Sequence, residues 1–311
     1  MALLIDIKHP EWMTDESMRE QLLACYPAAD IRVGKEPGSL EEIDMLTVSS
    51  YYPGEALKYP RLRLIQKTGA GVDNILADDG LPETIAVARL YTSTSGAEMA
   101  EYALAYVLQE QRHMRQYHEQ QARSEWRHYP PRQARDTNVA VLGLGRIGQL
   151  MARRFADNGF AVIGWSRGPK TLDGVRCYAG PEELPRVVGE AEYVVSVLPS
   201  TPETRGLYDA ELFARFNPRA LFINVGRGDQ VVEADLVGAL DAECLAGAVL
   251  DVMSEEPLPA DSPLWLHPKV QLTPHVSGYH LGEAVADIAE NYRRLQNGEP
   301  LLHLIDRERG Y

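Results

Sequence analysis

Three polar residues carry the chemistry this sequence can do. Arg227 stands in Asn224-Val225-Gly226-Arg227-Gly228, Glu256 in Glu255-Glu256-Pro257-Leu258, and His275 ends the run Thr273-Pro274-His275. Each follows an apolar run of strand character (Ala220 to Val225, Ala246 to Val252, Val270 to Thr273), so all three fall where parallel sheets carry their ligand-binding loops. An arginine fork grips a carboxylate in a fixed plane. A histidine moves protons near neutral pH, and a neighbouring carboxylate favours its charged form and fixes its ring orientation. Together these are what a carbonyl reduction needs beside a hydride donor: a cation to orient an acid substrate, an acid to protonate the developing alkoxide, and a partner for that acid. Taken singly, one histidine among eight or a Glu-Glu-Pro loop has an ordinary structural reading. Zinc fits poorly, because His275 and His280 lie five apart with no thiolate nearby, and no metal is expected.

A hydride donor requires a dinucleotide site, and Gly143-Leu144-Gly145-Arg146-Ile147-Gly148 fits GxGxxG. The first glycine permits the tight turn, the second lets backbone approach a pyrophosphate, and the third lets helix and strand pack closely. The motif alone is weak, but its context is right. Val139 to Leu142 reads as a strand before it, and Ile147, Leu150, Met151 and Phe155 give a helical face after it. Asn158-Gly159 forms a left-handed stop, and Phe160 to Trp165 a second strand. The helix N-terminus then faces the phosphates. The acid that would hold a ribose 2′-hydroxyl, expected about 20 residues on, is absent. Trp165-Ser166-Arg167-Gly168-Pro169-Lys170 offers instead a hydroxyl, a guanidinium and an ammonium where a 2′-phosphate would lie. NADP(H) is therefore expected over NAD(H), which stays available as the lesser cofactor.

The elements that must position these groups alternate along the whole chain. Leu3 to Ile7, Ile31 to Val33, Met45 to Val48, Leu62 to Gln66 and Ile85 to Ala88 read as strands, with a helix from Thr14 to about Cys25. Ser49 to Gly54 is a loop in which Tyr51 and Tyr52 either wall a pocket or simply pack. Lys67-Thr68-Gly69-Ala70-Gly71-Val72-Asp73 makes either a plain strand-to-helix turn or a concavity of N–H groups able to hold a carboxylate. From Gly96 a long helix is expected to about Arg123, buried almost all round in its first half as at a domain junction or dimer seam. An irregular arm follows from Trp126 to Arg135. Strands at Tyr193 to Leu198, Ala220 to Val225, Ala246 to Val252 and Val270 to Thr273, with helices Val232 to Leu240 and Gly282 to Gln296, complete an α/β pattern of two parallel-sheet domains.

With 311 residues, 45% hydrophobic and 24% charged, the chain has room for about two soluble domains. A net charge of −14 argues against a nucleic-acid partner, and the basic stretch from Arg112 to Arg135 is broken by glutamates. No apolar run approaches membrane-spanning length and no basic leader opens the chain, so a cytoplasmic protein is expected. Cys25, Cys177 and Cys244 have neither disulfide nor ligand spacing.

Taken in order and spacing, the Arg227, Asp251-Val252 with Glu256-Pro257-Leu258, and Thr273-Pro274-His275 motifs, the Lys67 to Asp73 loop and the glycine turn resemble the D-2-hydroxyacid dehydrogenase family over nearly the whole chain. Trp165-Ser166-Arg167, Ser262-Pro263-Leu264-Trp265 and the C-terminal Asp306 to Tyr311 are most similar to its bacterial NADPH-dependent glyoxylate/hydroxypyruvate reductases. That resemblance implies two doubly wound domains, a Rossmann cofactor domain (96–285) inserted into a flavodoxin-like substrate domain (1–95 and 286–311). It implies reduction of a small 2-oxo acid, with Arg227 on the substrate's carboxylate and carbonyl, His275 as general acid and Glu256 as its partner. Ala70, Gly71, Val72 and Tyr52 would join Arg227 and His275 in binding substrate. Leu198, Pro199, Thr204, Val225, Gly226 and Asp251 would join Gly143, Gly145, Arg146, Ile147, Gly148, Ser166, Arg167 and Lys170 around the cofactor, Asp251 on the nicotinamide amide. A homodimer through the cofactor domain and the helix after Gly96 is implied, with Trp126 able to reach a partner's pocket. Tyr51, Tyr52, Tyr279 and His280 depart from the reductases, leaving a D-lactate-type or other 2-oxo acid open. A nucleotide-sensing relative without turnover is a further reading, against which the complete Arg227, Glu256 and His275 weigh.

Overall fold

Short β-branched runs that bury both faces, separated by one-sided helices, give two all-parallel sheets. The computed structural model describes residues 1–8, 13–90, 93–282 and 284–307; the C-terminal Glu308-Arg309-Gly310-Tyr311 lies outside them. Residues 1–95 with 279–311 form one compact unit and 96–278 the other.

In the first unit, β1 (Ala2–Asp6), α1 (Asp15–Cys25), β2 (Ile31–Val33), β3 (Ile43–Val48), β4 (Leu64–Lys67), α2 (Asp73–Leu76) and β5 (Ala86–Ala88) are laid down in turn. The strands pair in the order β2-β1-β3-β4-β5. Every residue of β3 is buried, as expected of a central parallel strand covered on both sides. Thr14 starts α1 by accepting the Ser17 N–H at 3.1 Å, with Asp15 and Glu16 in the first turn complementing the helix dipole.

The second unit takes up most of α3 (Ser93–Gln111), then α4 (Met114–Ala122), β6 (Asn138–Leu142), α5 (Arg146–Asp157), β7 (Ala161–Ser166), β8 (Val175–Ala179), α6 (Leu184–Glu190), β9 (Tyr193–Ser196), α7 (Ala210–Phe213), β10 (Leu221–Asn224), α8 (Glu233–Asp241), β11 (Gly247–Leu250) and β12 (Val270–Leu272). Its order is β12-β11-β10-β9-β6-β7-β8. The direction of winding reverses between β6 and β9, which makes the carboxyl ends of those two strands the place for a ligand. After it α9 (Ala284–Asn297) closes the first unit.

Three expectations need correction. The single helix from Gly96 to Arg123 is two, because His113 takes a left-handed φ of 57° and breaks it. The first part is not buried all round: Gly96, Ala100, Ala103, Val107 and Gln111 form one buried stripe at helical spacing, with Glu101, Ala105 and Leu108 exposed. The return to the first unit comes at Tyr279 rather than 286, since Leu281, Ala284 and Val285 are already packed among Leu3, Ile5 and Met18. Strand β8 and helices α6 and α7 were not expected.

Candidate active site

The glycine turn is built as its sequence requires. Gly143 has φ 106°, open to glycine without strain, and a side chain there would press on the Val197 carbonyl oxygen at 3.1 Å. At Gly148 a Cβ would fall 1.7 Å from the Gly143 carbonyl oxygen, so helix and turn touch through bare backbone. Gly145 is the opposite case. Nothing lies within 4 Å of where its side chain would go, and it starts α5 without a side-chain cap. Bare backbone facing open space before an uncapped helix is the cradle a pyrophosphate fits. Ile147 packs on the core and Arg146 is exposed. At the end of β7, the buried Ser166 turns its hydroxyl onto the Gly168 carbonyl at 2.8 Å, while Arg167 and Lys170 are exposed. The Arg167 charge is felt at Glu203, whose carboxyl is held below its ordinary value chiefly by Thr201.

Across the switch point, Gln230 donates to the carbonyls of Leu198 and Pro199, both at 2.9 Å, and the Thr204 hydroxyl bonds Pro199 O at 2.7 Å. Thr204 thus shapes the loop from inside. Val225 is buried.

The Arg227 loop follows β10. The buried Asn224 staples it, accepting the Gly226 N–H and donating to the Arg227 carbonyl, each at 3.0 Å. Gly226 lies so close to the Leu198 carbonyl that a Cβ would sit 2.7 Å away, and a Cβ at Gly228 would fall 1.9 Å from the Met253 carbonyl group. This second approach brings the Arg227 loop against the segment that carries Glu256. Arg227 Nη1 bonds the Gly226 carbonyl at 2.7 Å.

His275 Nδ1 lies 2.8 Å from Glu256 Oε2, and the other Glu256 oxygen accepts the Met253 N–H at 3.0 Å. Burial alone would push the Glu256 carboxyl up; the His275 hydrogen bond and charge, the Met253 N–H and the Arg227 charge outweigh it and hold the group below the usual range. The three residues read from sequence are therefore brought together: His275 on Glu256, and Arg227 near enough for its charge to act there. The His275 side chain is half-exposed, so it can reach a substrate.

Asp251, expected on the nicotinamide amide, anchors the backbone after β12. It is fully buried, with Oδ1 accepting from Thr273 and Val276 and Oδ2 from Ser277. Sequence reasoning did not pick out Ser277 or Tyr102, whose hydroxyl meets Thr273 at 2.6 Å.

In the first unit, Ala70 and Gly71 are half-buried in the turn after β4, and Val72 is buried. Of the two tyrosines, Tyr51 is a core residue. Burial, with its 2.7 Å bond to Asp78, pushes its hydroxyl up to about 12. Tyr52 is 61% exposed beside Lys8 and is the one able to meet a ligand. Tyr279 and His280 are exposed with rings 5.5 Å apart.

Two parallel sheets, a bare glycine cradle at the switch point and a histidine–carboxylate pair beside an arginine define a nicotinamide-dependent dehydrogenase of 2-hydroxy acids. A family model described as D-isomer specific 2-hydroxyacid dehydrogenase, NAD binding domain, matches residues 104–277, and the chain belongs to that family. It is 37% identical over 308 residues to glyoxylate/hydroxypyruvate reductase A of Serratia proteamaculans, covering 97% of this chain and 96% of that one. The protein of the same name from Yersinia enterocolitica is 36% identical over 293 residues, 92% and 93% of the two chains. Among solved structures, a D-isomer specific 2-hydroxyacid dehydrogenase from Xanthobacter autotrophicus Py2, in complex with NADPH and MES, matches with a TM-score of 0.92 at 39% identity over 100% of this chain and 99% of the other. The NADPH-dependent glyoxylate/hydroxypyruvate reductase of Sinorhizobium meliloti, in complex with NADP and sulfate, matches at 0.91 and 33% identity with the same coverage.

Proposed function

We propose that this protein reduces small 2-oxo acids of the glyoxylate and hydroxypyruvate type to D-2-hydroxy acids with NADPH. The observation that carries it is the 2.8 Å pairing of His275 with Glu256 under the charge of Arg227. The names of relatives at 36–37% identity support the substrate class. Gly143 to Gly148 would hold the pyrophosphate on the N-terminus of α5, with Ser166, Arg167 and Lys170 toward the 2′-phosphate and the Leu198, Pro199, Val225 and Gly226 backbone toward the nicotinamide. When bound, the reduced nicotinamide supplies the hydride. Arg227 holds the substrate carboxylate and polarises its carbonyl. His275, protonated and held through Nδ1 by Glu256, gives its Nε2 proton to the carbonyl oxygen as negative charge develops there.

A steady-state panel of glyoxylate, hydroxypyruvate, pyruvate and phenylpyruvate with NADPH and NADH tests the reading. Glyoxylate or hydroxypyruvate with NADPH is expected to give the highest kcat/KM. A preference for pyruvate or phenylpyruvate sinks the substrate class, and equal KM for the two cofactors sinks the role of Ser166, Arg167 and Lys170. The same reading takes the protein as a cytoplasmic homodimer through the second unit and α3. Exposed Leu108, Met114 and Trp126 along α3, α4 and the arm support a covered face, and three unpaired cysteines suit a reducing compartment. Light scattering reading one chain's mass, 34.6 kDa, would remove the dimer.

A further inference from the structure

His275 has a φ of 55°, a left-handed conformation uncommon for a residue with a side chain, and its backbone is held there by hydrogen bonds. Most of those bonds end on one residue, with the Thr273 carbonyl, 3.0 Å away, sharing the His275 N–H. The Asp251 carbonyl accepts the His275 N–H at 2.8 Å, Oδ1 accepts the Val276 N–H at 2.9 Å, and Oδ2 the Ser277 N–H at 2.8 Å. Three consecutive backbone donors thus end on Asp251, which is fully buried. Its Oδ1 takes a further bond, 2.6 Å long, from the Thr273 hydroxyl, and that hydroxyl lies 2.6 Å from the Tyr102 hydroxyl on α3.

The proton directions follow from counting. Among the described residues every partner of the Asp251 carboxylate is a donor, so Asp251 accepts throughout and the single Thr273 proton is committed to it. Tyr102 must then donate to Thr273. Burial pushes the Tyr102 hydroxyl well above its ordinary value, with the Thr273 bond only partly opposing, so the donor keeps its proton across the working range. Resting on the reading that His275 is the general acid, we propose that Tyr102, acting through Thr273 and Asp251, is a positioning residue that holds His275 in its productive backbone conformation.

The test is steady-state reduction by the full-length enzyme with NADPH, per correctly folded molecule. Tyr102→Phe keeps the ring that packs on Tyr106 at 4.9 Å and removes only the donor. It is expected to lower kcat about tenfold with KM for NADPH within about twofold, since a small displacement of the acid is paid in turnover. Thr273→Val should lose at least as much, Thr273→Ser should recover most of that loss, and Tyr102→Phe with Thr273→Val should be no worse than Thr273→Val alone, because both cut one chain. Against a His275→Asn background, Tyr102→Phe should have no further effect. Unchanged kcat in Tyr102→Phe and Thr273→Val, losses that multiply in the double variant, or a full Tyr102→Phe effect in the absence of His275 would each overturn the relay while leaving the acid in place. Wild-type turnover by His275→Asn itself would remove the general-acid reading, and the relay with it.

Discussion

At the residue scale, the direction of the Glu256 shift decides what pH does. A carboxyl held below its ordinary value contributes stabilisation that is present above the unfolded carboxylate range and is lost as pH falls through the lowered value. Glu256 is therefore charged, and its pairing with His275 intact, across the neutral range in which reduction runs. Wild-type reduction should therefore fall on the acid side as pH drops through the lowered Glu256 value, and Glu256→Gln, which has no such group to protonate, should lack that fall; an acid-side fall at the same pH in both enzymes would disconnect the pair from catalysis. Arg227 makes a different demand, one of shape. Lysine keeps the charge but not the planar fork, and leaves a substrate oxygen without a donor. Arg227→Lys should cost about a hundredfold in kcat/KM, roughly 2.7 kcal/mol; a change under threefold would mean that the fork does not hold the substrate. Arg227, Glu256 and His275 were legible because each follows a strand of the same parallel sheet, which fixes them at one edge whatever the loops do. Tyr102 was not. Its contact with Thr273 spans 171 residues, and along its own helix it reads as one more half-buried aromatic.

At the scale of elements, the glycines of the cofactor turn serve different ends. At Gly148 an added Cβ would meet the Gly143 carbonyl oxygen at 1.7 Å, a clash of backbone with backbone that neither side can relieve. At Gly145 there is room, and the backbone φ of −74° suits any residue. Gly148→Ala should thus separate α5 from β6 and lower the melting temperature by 5 °C or more, on the order of 2 kcal/mol. Gly145→Ala should leave melting within about a degree yet raise the KM for NADPH by about tenfold, the methyl group filling the cradle. Calorimetry and kinetics on the pair check this, and a stable Gly148→Ala would show that the close packing is dispensable. Elements with a two-sided apolar run were readable to within two residues of their ends: β6, β7, β9, β10 and β11 all were. Strand β8 was not, because Val175-Arg176-Cys177-Tyr178-Ala179 lies at the sheet edge with no buried residue and so shows no apolar run. The break after α3 was also hidden, since a left-handed His113 leaves no mark where glycine would have.

For the whole molecule, the four hydrophobic clusters sort cleanly by unit. Two draw only on residues of 96–278, and two only on residues before 95 or after 279. A core whose members all lie in one continuous stretch needs nothing from outside it. The segment 96–278 expressed alone should therefore unfold cooperatively and bind NADPH. The segment 1–95 should not fold, although it holds all five strands of its sheet. Its core lacks Ile288, Tyr292 and Leu295 of α9, which pack with Leu3, Ile5, Met18 and Leu22. Asn291 is missing too; it is fully buried and bonds both Gln66, on β4, and Leu302. Three large side chains at about 2 kcal/mol each come to about 6 kcal/mol, and Gln66 left buried without its partner adds about 1–3 kcal/mol. That is comparable to the entire stability of a small domain, about 5–15 kcal/mol. Restoring 279–311 through a flexible linker should restore folding, because the chain leaves and re-enters at neighbouring points: a Cβ at Gly282 would fall 2.4 Å from the Thr94 hydroxyl. Urea unfolding followed by circular dichroism distinguishes the three proteins. A cooperative transition in 1–95 alone, or none in 96–278, would mean that stability is shared between the units in a way their separate cores do not reveal.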